Sequence, residues 1–227
     1  MSGGGTPYER LGVLATQEVE VGPGVQHLEL YTLEGLLTVL WHGEPDAEAA
    51  VVACGGAMGG LLGPGGLYDE LGRALAGEGI ATWRVSYRQP GRLGSCTLDV
   101  AAVAQVAVAH GARQVATIGH SFGGAVALRV AAAYPDVVAG VVTLATQSAG
   151  CEVVRNLGRP LLLFHGDADE LLPVATSETV RLLAGGGELV VLPGAGHLFS
   201  GATAGVRDRI LAWAPAVLAA GERSDII

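Results

Sequence analysis

The chain has 227 residues, of which 50% are hydrophobic and 15% charged, with a net charge of -9. That is ample apolar material for one large buried core, and it rules out an intrinsically disordered chain. The acidic balance argues against a nucleic-acid partner, and because every basic residue is arginine, a lysine-dependent phosphate loop and Schiff-base chemistry are both excluded.

Along the chain, short runs rich in Val, Leu and Ile alternate with longer Ala- and Leu-rich stretches. The first 24 residues read as a tail and lead-in with no element assigned. Strands are then predicted near residues 25–31, 36–42, 49–54, 80–87, 113–119, 138–145, 160–165 and 188–192. Helices are predicted over 64–78, 96–110, 122–133, 175–184 and 203–220. From residue 49 onward strands and helices alternate strictly, which predicts a parallel sheet with right-handed crossovers covering both faces. The two earlier strands have no helix between them and read as an antiparallel pair at the sheet edge.

No linker or repeat divides the chain, so a single domain over 25–221 is expected, followed by a short tail at 222–227. The twelve residues "SAGCEVVRNLGR" between two predicted strands leave no room for an inserted cap domain. No apolar run approaches the roughly 20 residues that cross a bilayer, and the first residues lack the pattern of a secretory signal. The expectation is a soluble cytoplasmic protein, monomer or homodimer, without a membrane partner. The three cysteines form no CxxC pair and are expected to be reduced thiols, with Cys54 a small buried hydrophobe at a strand end.

The chemistry concentrates in "GHSFGG", residues 119–124. Ser121 stands where a strand pattern gives way to a helix pattern, with Gly119 and Gly123 two positions away on either side. A serine on so sharp a turn takes a strained backbone conformation, and its neighbours must be small for the turn to close. The turn lifts the hydroxyl off the sheet, and the helix that follows aims free amides at developing negative charge. A serine hydroxyl needs a base, and the base needs an orienting carboxylate, arranged here in the order serine, acid, histidine. His165 and His197 alone lie downstream of Ser121. His165 precedes the candidate acids, whereas His197 sits in the glycine-rich "LPGAGHLF" before the last helix. "HGDADELLP" offers Asp167, Asp169 and Glu170; Asp169, three residues past Gly166, has room to turn back to the sheet edge, while Asp167 is expected to bond loop amides.

At these three motifs the chain resembles the α/β-hydrolase superfamily: "GHSFGG" looks like its nucleophile elbow, "HGDADELLP" its acid loop and "GAGHLF" its histidine loop. It is most similar to small cap-less bacterial serine esterases and dienelactone-hydrolase-like proteins. The resemblance implies an α/β-hydrolase fold with a mostly parallel eight-stranded sheet, helices on both faces and no cap domain. It implies Ser121 as nucleophile, Asp169 as orienting acid and His197 as base, acting on a small ester or thioester without metal or cofactor. The oxyanion donors implied are the Phe122 amide and one from "ACGGAMGG", with Gly56 first and Ala57 next. Ala57, Met58 and Arg88 are the candidate substrate contacts, Arg88 for an acidic group. A thioesterase or acyltransferase acting on a carrier-bound or CoA acyl group, and a non-catalytic binding protein, are the alternative readings. A dinucleotide site in the glycine-rich loop is disfavoured, since residues 55–60 do not fit GxGxxG. His120 is expected to pack beneath the elbow.

Overall fold

The structure, a computed structural model, describes residues 5–221. A short helix, α1 (Pro7–Leu11), leads into β1 (Val13–Gly22), β2 (Val25–Thr32), β3 (Gly35–His42) and β4 (Ala49–Cys54). Strands and helices then alternate: α2 (Leu67–Ala76), β5 (Ile80–Ser86), α3 (Leu93–Ala109), β6 (Gln114–His120), α4 (Phe122–Ala133), β7 (Val138–Leu144), β8 (Leu161–Gly166), α5 (Ala175–Leu183), β9 (Glu188–Leu192) and α6 (Thr203–Gly221). One nine-stranded sheet runs in the order β1-β2-β3-β5-β4-β6-β7-β8-β9. The pairs from β4 onward are parallel, and β1 to β3 and β5 join antiparallel.

The sheet separates two cores. On one face α3 and α4 cover Ala50, Val52 and Cys54, together with Val85 and Val141. On the other, Leu67, Leu71 and Leu75 of α2 and Val206, Ile210 and Ala214 of α6 cover Val51, Ala53 and Ile118. Alternate residues of β4 therefore feed opposite cores, as a strand buried on both faces requires. Helix α4 is buried nearly all round, which explains its composition of Gly, Ala and Val rather than an amphipathic pattern.

The N-terminal lead-in departs from expectation. Residues 7–22, expected to lie outside the domain, supply a helix and the ninth strand, so β2 and β3 are not the edge pair. Strand β1 was illegible because most of its residues are exposed, leaving no alternation imposed by burial. Its place is held by the β2 ladder and by Trp41 Nε1 donating to Glu18 at 2.8 Å. Helix α1 did carry a readable signal: Thr6 and Glu9 cap each other reciprocally, with Pro7 at the first helical position, a capping box. The tail expected at 222–227, like residues 1–4, lies outside the described residues. Among the described residues no helix is long and apolar enough to cross a membrane.

Candidate active site

Four loops leave the C-terminal ends of β4, β6, β8 and β9 and meet at one sheet edge, where an open parallel sheet places its ligands. Ser121 forms the turn between β6 and α4, with φ 55° and ψ -118°, a region that L residues rarely occupy. The turn closes only because its neighbours lack side chains. A Cβ on Gly119 would collide with the Gly123 carbonyl, and one on Gly123 would collide with the Gly55 carbonyl and lie 2.8 Å from the Cys54 oxygen. Ser121 N donates to Leu144 O at 2.8 Å, tying the turn to β7. The first amides of α4, beginning with Phe122, have no partner within the helix.

Asp169 lies in the loop after β8 with its side chain almost fully buried. Its Oδ1 accepts from Leu171 N at 2.8 Å and Leu172 N at 2.9 Å, and its Oδ2 lies 2.7 Å from His197 Nδ1. Burial works against the charged carboxylate, but the bonds from Leu172 N, His197 and Leu171 N outweigh it and hold the carboxyl below its usual range. An anionic acceptor at Nδ1 places the His197 proton there and leaves Nε2 bare, the form a base requires. Asp167, by contrast, accepts from Gly194 N at 2.6 Å and so fastens the acid loop to the histidine loop. His197 N also donates to Glu170 Oε2 at 3.4 Å.

Ser121 and His197 line one open cleft of about 560 Å³ together with Gly56, Ala57, Met58 and Leu62. Gly56 sits against the elbow: a Cβ there would lie 3.7 Å from Ser121 Cβ. Two tyrosines that sequence reasoning passed over brace this loop. Tyr68 Oη donates to Cys54 O at 2.8 Å and Tyr87 Oη to Gly55 O at 2.9 Å. Burial pushes both phenols up, so each remains a donor. Their aromatic character was readable, but the carbonyls they reach are 14 and 32 residues away.

His120 is buried beneath the turn. Its Nε2 lies 3.1 Å from the His197 carbonyl and its ring centre 4.8 Å from that of His197. Burial lowers its pKa to about 4, so at neutral pH it is an uncharged donor supporting the His197 backbone. Cys54 is fully buried with its thiol pushed up to about 12 by desolvation, which makes it inert.

Arg88 requires correction. Its guanidinium is inside the protein, with Nε 2.6 Å from Asp99 Oδ1 and its own backbone amide donating to Asp99 Oδ2 at 2.9 Å. A further contact reaches Glu34 at 3.3 Å. An arginine so paired lies outside the cleft lining, and its isolation would strand the buried Asp99. Among the described residues no group of three or more His, Cys, Asp or Glu converges as a metal site would.

A family model described as the alpha/beta hydrolase fold matches residues 58–155. No curated protein sequence matches the chain. Among solved structures, Est1E from Butyrivibrio proteoclasticus superposes with a TM-score of 0.75 at 16% identity, over 85% of this chain and 99% of that one. A dienelactone hydrolase from Anabaena variabilis gives 0.71 at 20% identity, over 87% and 96%. XC6422 from Xanthomonas campestris, described as an a/b serine hydrolase without lid, gives 0.66 at 23% identity, over 87% and 99%. With its crossed-over parallel sheet, its strained serine turn and these likenesses, the chain has the α/β-hydrolase fold, and among the described residues no domain is inserted between β7 and β8.

Proposed function

We propose that the protein is a serine hydrolase that cleaves uncharged carboxylic esters or thioesters of short to medium acyl length. The observation that carries this reading is the 2.7 Å contact between His197 Nδ1 and Asp169 Oδ2 in the same cleft as the strained Ser121. Ser121 Oγ attacks the acyl carbonyl carbon while His197 Nε2 takes its proton, and Asp169 stabilises the imidazolium that forms. The amides of Phe122 and Gly56 receive the oxyanion. Collapse of the tetrahedral intermediate expels the alcohol or thiol, protonated by His197, and leaves an acyl-serine. Water, deprotonated by His197, then attacks that acyl group and restores Ser121. Among the described residues no hydrogen bond ties Ser121 Oγ to His197, a looseness common before substrate tightens the site.

The lining supports this substrate class. Among the described residues that shape it, His120 and His197 are the only histidines, and none is Asp, Glu or Arg. Met58, Leu62, Leu171 and Leu198 stand 92%, 60%, 68% and 55% exposed around the opening. An apolar collar without a counter-ion favours a neutral acyl group, each methylene it covers adding roughly 0.8 kcal/mol. With no cap to extend that wall, long chains gain little.

A fluorophosphonate probe should label the wild-type protein at Ser121 and fail to label Ser121→Ala. Among nitrophenyl esters, kcat/KM should peak at butyryl or octanoyl, with carboxylate-bearing analogues poorer than neutral ones. An unlabelled serine would favour a binding protein, and a preference for palmitoyl would overturn the chain-length assignment.

A further inference from the structure

Behind the loop that carries Asp169 stands a buried titratable side chain that the reaction described above does not use. His165, at the end of β8, is 0% exposed. Its Nδ1 lies 2.7 Å from the hydroxyl of Ser177 on α5, itself fully buried. Its Nε2 lies 2.9 Å from Leu172 O and 3.3 Å from Asp169 Oδ2. A carbonyl and a carboxylate can only accept, so the ring proton belongs on Nε2. Nδ1 is then an acceptor, and the Ser177 hydroxyl donates to it. Oδ2 of Asp169 thus faces two imidazoles, one at 2.7 Å and one at 3.3 Å, while Oδ1 is held by two backbone amides.

We infer that His165, its tautomer set by the Leu172 carbonyl and the Asp169 carboxylate and supported by the Ser177 hydroxyl, is a positioning residue that locks the Asp169 carboxylate and the turn through Leu172 into the orientation His197 needs. The inference rests on the Ser121–His197–Asp169 reading. The His165 N–H does two things. It removes the rotational freedom of a carboxylate otherwise fixed only through Oδ1 and His197, and it draws electron density from the oxygen that His197 uses. The second effect moderates the pull of Asp169 on the His197 proton. The other ionisable groups facing His197 are Glu170, which accepts from its backbone amide, and His120, beneath its carbonyl.

The test compares His165→Ala, His165→Gln and Ser177→Ala in the full chain with a neutral butyryl ester. Folding is checked by circular dichroism, and the tautomer of His165 in the wild type is read by long-range proton–nitrogen NMR. In His165→Ala kcat should fall roughly ten- to a hundredfold with KM little changed, the size expected for a displaced catalytic group. The acid limb of kcat/KM should move up by roughly half a pH unit, because a carboxylate relieved of one donor stabilises imidazolium more. His165→Gln, which keeps an N–H for Leu172 O and Asp169, should recover most of both. Ser177→Ala should lower kcat roughly two- to tenfold, the size of one hydrogen bond. The NMR should show the proton on Nε2.

A folded His165→Ala with wild-type kcat and limb overturns the inference, as does a loss of activity with an unmoved limb, which means support of the fold alone. A proton on Nδ1 also overturns it. Should His165→Ala fail to fold, the Ser177→Ala kinetics and the wild-type tautomer decide. Turnover surviving in Ser121→Ala would instead defeat the triad reading, and leaves the tautomer measurement standing by itself.

Discussion

The turn after β6 and the loop after β8 leave the same edge of one sheet, with β7 between them, and they are held in shape by different means. At the turn the decisive groups are absent ones: Gly119 and Gly123 let three backbone segments approach more closely than any side chain allows. At the acid loop the decisive groups are polar. Asp169 organises Leu171 N, Leu172 N and His197, and Asp167 reaches Gly194 N. Steric exclusion makes a rigid platform for a strained serine, whereas a satisfied polar network holds a charge and aims a proton acceptor. The proposed nucleophile requires the first and its proposed base the second.

The comparison predicts that the two regions fail differently. The largest expected effect is at the acid loop: Asp169→Asn should lower kcat by roughly 10⁴-fold, since the amide cannot hold the His197 tautomer, and the protein should stay folded. Asp167→Asn retains an oxygen for Gly194 N and should leave kcat near the wild-type value. Steady-state kinetics on the two variants would settle it, and a reversed order would move the acid to Asp167. At the turn, Gly123→Ala should act on folding as well as on activity, costing about 3 kcal/mol or more because the new methyl meets backbone carbonyls that cannot rotate away. Urea unfolding measures this, and a Gly123→Ala protein of wild-type stability would show that the turn is not sterically closed.

The smallest effect separates the regions by pH. His120, under the turn, has its pKa lowered from 6.5 to about 4, so the unfolded chain takes up a proton at a higher pH than the folded one. Stability contributed by its neutral form is complete above pH 6.5 and is lost as pH falls toward 4. His42, buried beside Asp69 and Arg84, is lowered to about 4 as well and adds to the same window. The depressed carboxyl of Asp169 contributes stability present above 3.8 and lost only as pH falls further. Unfolding free energy measured at steps from pH 7 to 3 should therefore slope downward between 6.5 and 4, with His120→Gln reducing that slope and Asp169→Asn altering only the region below it.

How legible each feature was depends on how far its cause lies along the chain. The strand and helix pattern from residue 25 onward matches the observed elements closely, because a parallel strand buried on both faces announces itself as a short, nearly continuous apolar run. The serine turn was legible for a local reason, since the glycines that permit it lie within two residues of Ser121. Strand β1 was missed because exposure removes the burial pattern, although Thr6 and Glu9 did mark the helix before it. The position of Arg88 after a strand suggested a substrate contact, but Asp99 lies 11 residues on and Glu34 54 residues back, and only the packing of α3 and the β2–β3 turn against β5 brings them to the guanidinium.

The sequence by itself determined the layered α/β architecture, the serine turn and the order of serine, acid and histidine loops, because strand burial, glycine spacing and chain order are local or one-dimensional properties. Position along the loop also favoured Asp169 over Asp167, but only the tertiary structure decided that the Asp169 carboxylate meets the His197 ring, that Arg88 is buried away from the cleft, and that His165 and Ser177 stand behind Asp169. Those outcomes depend on which side chains of separate strands and helices come within about 3 Å, the range in which a hydrogen bond forms, and no spacing along the chain sets that distance.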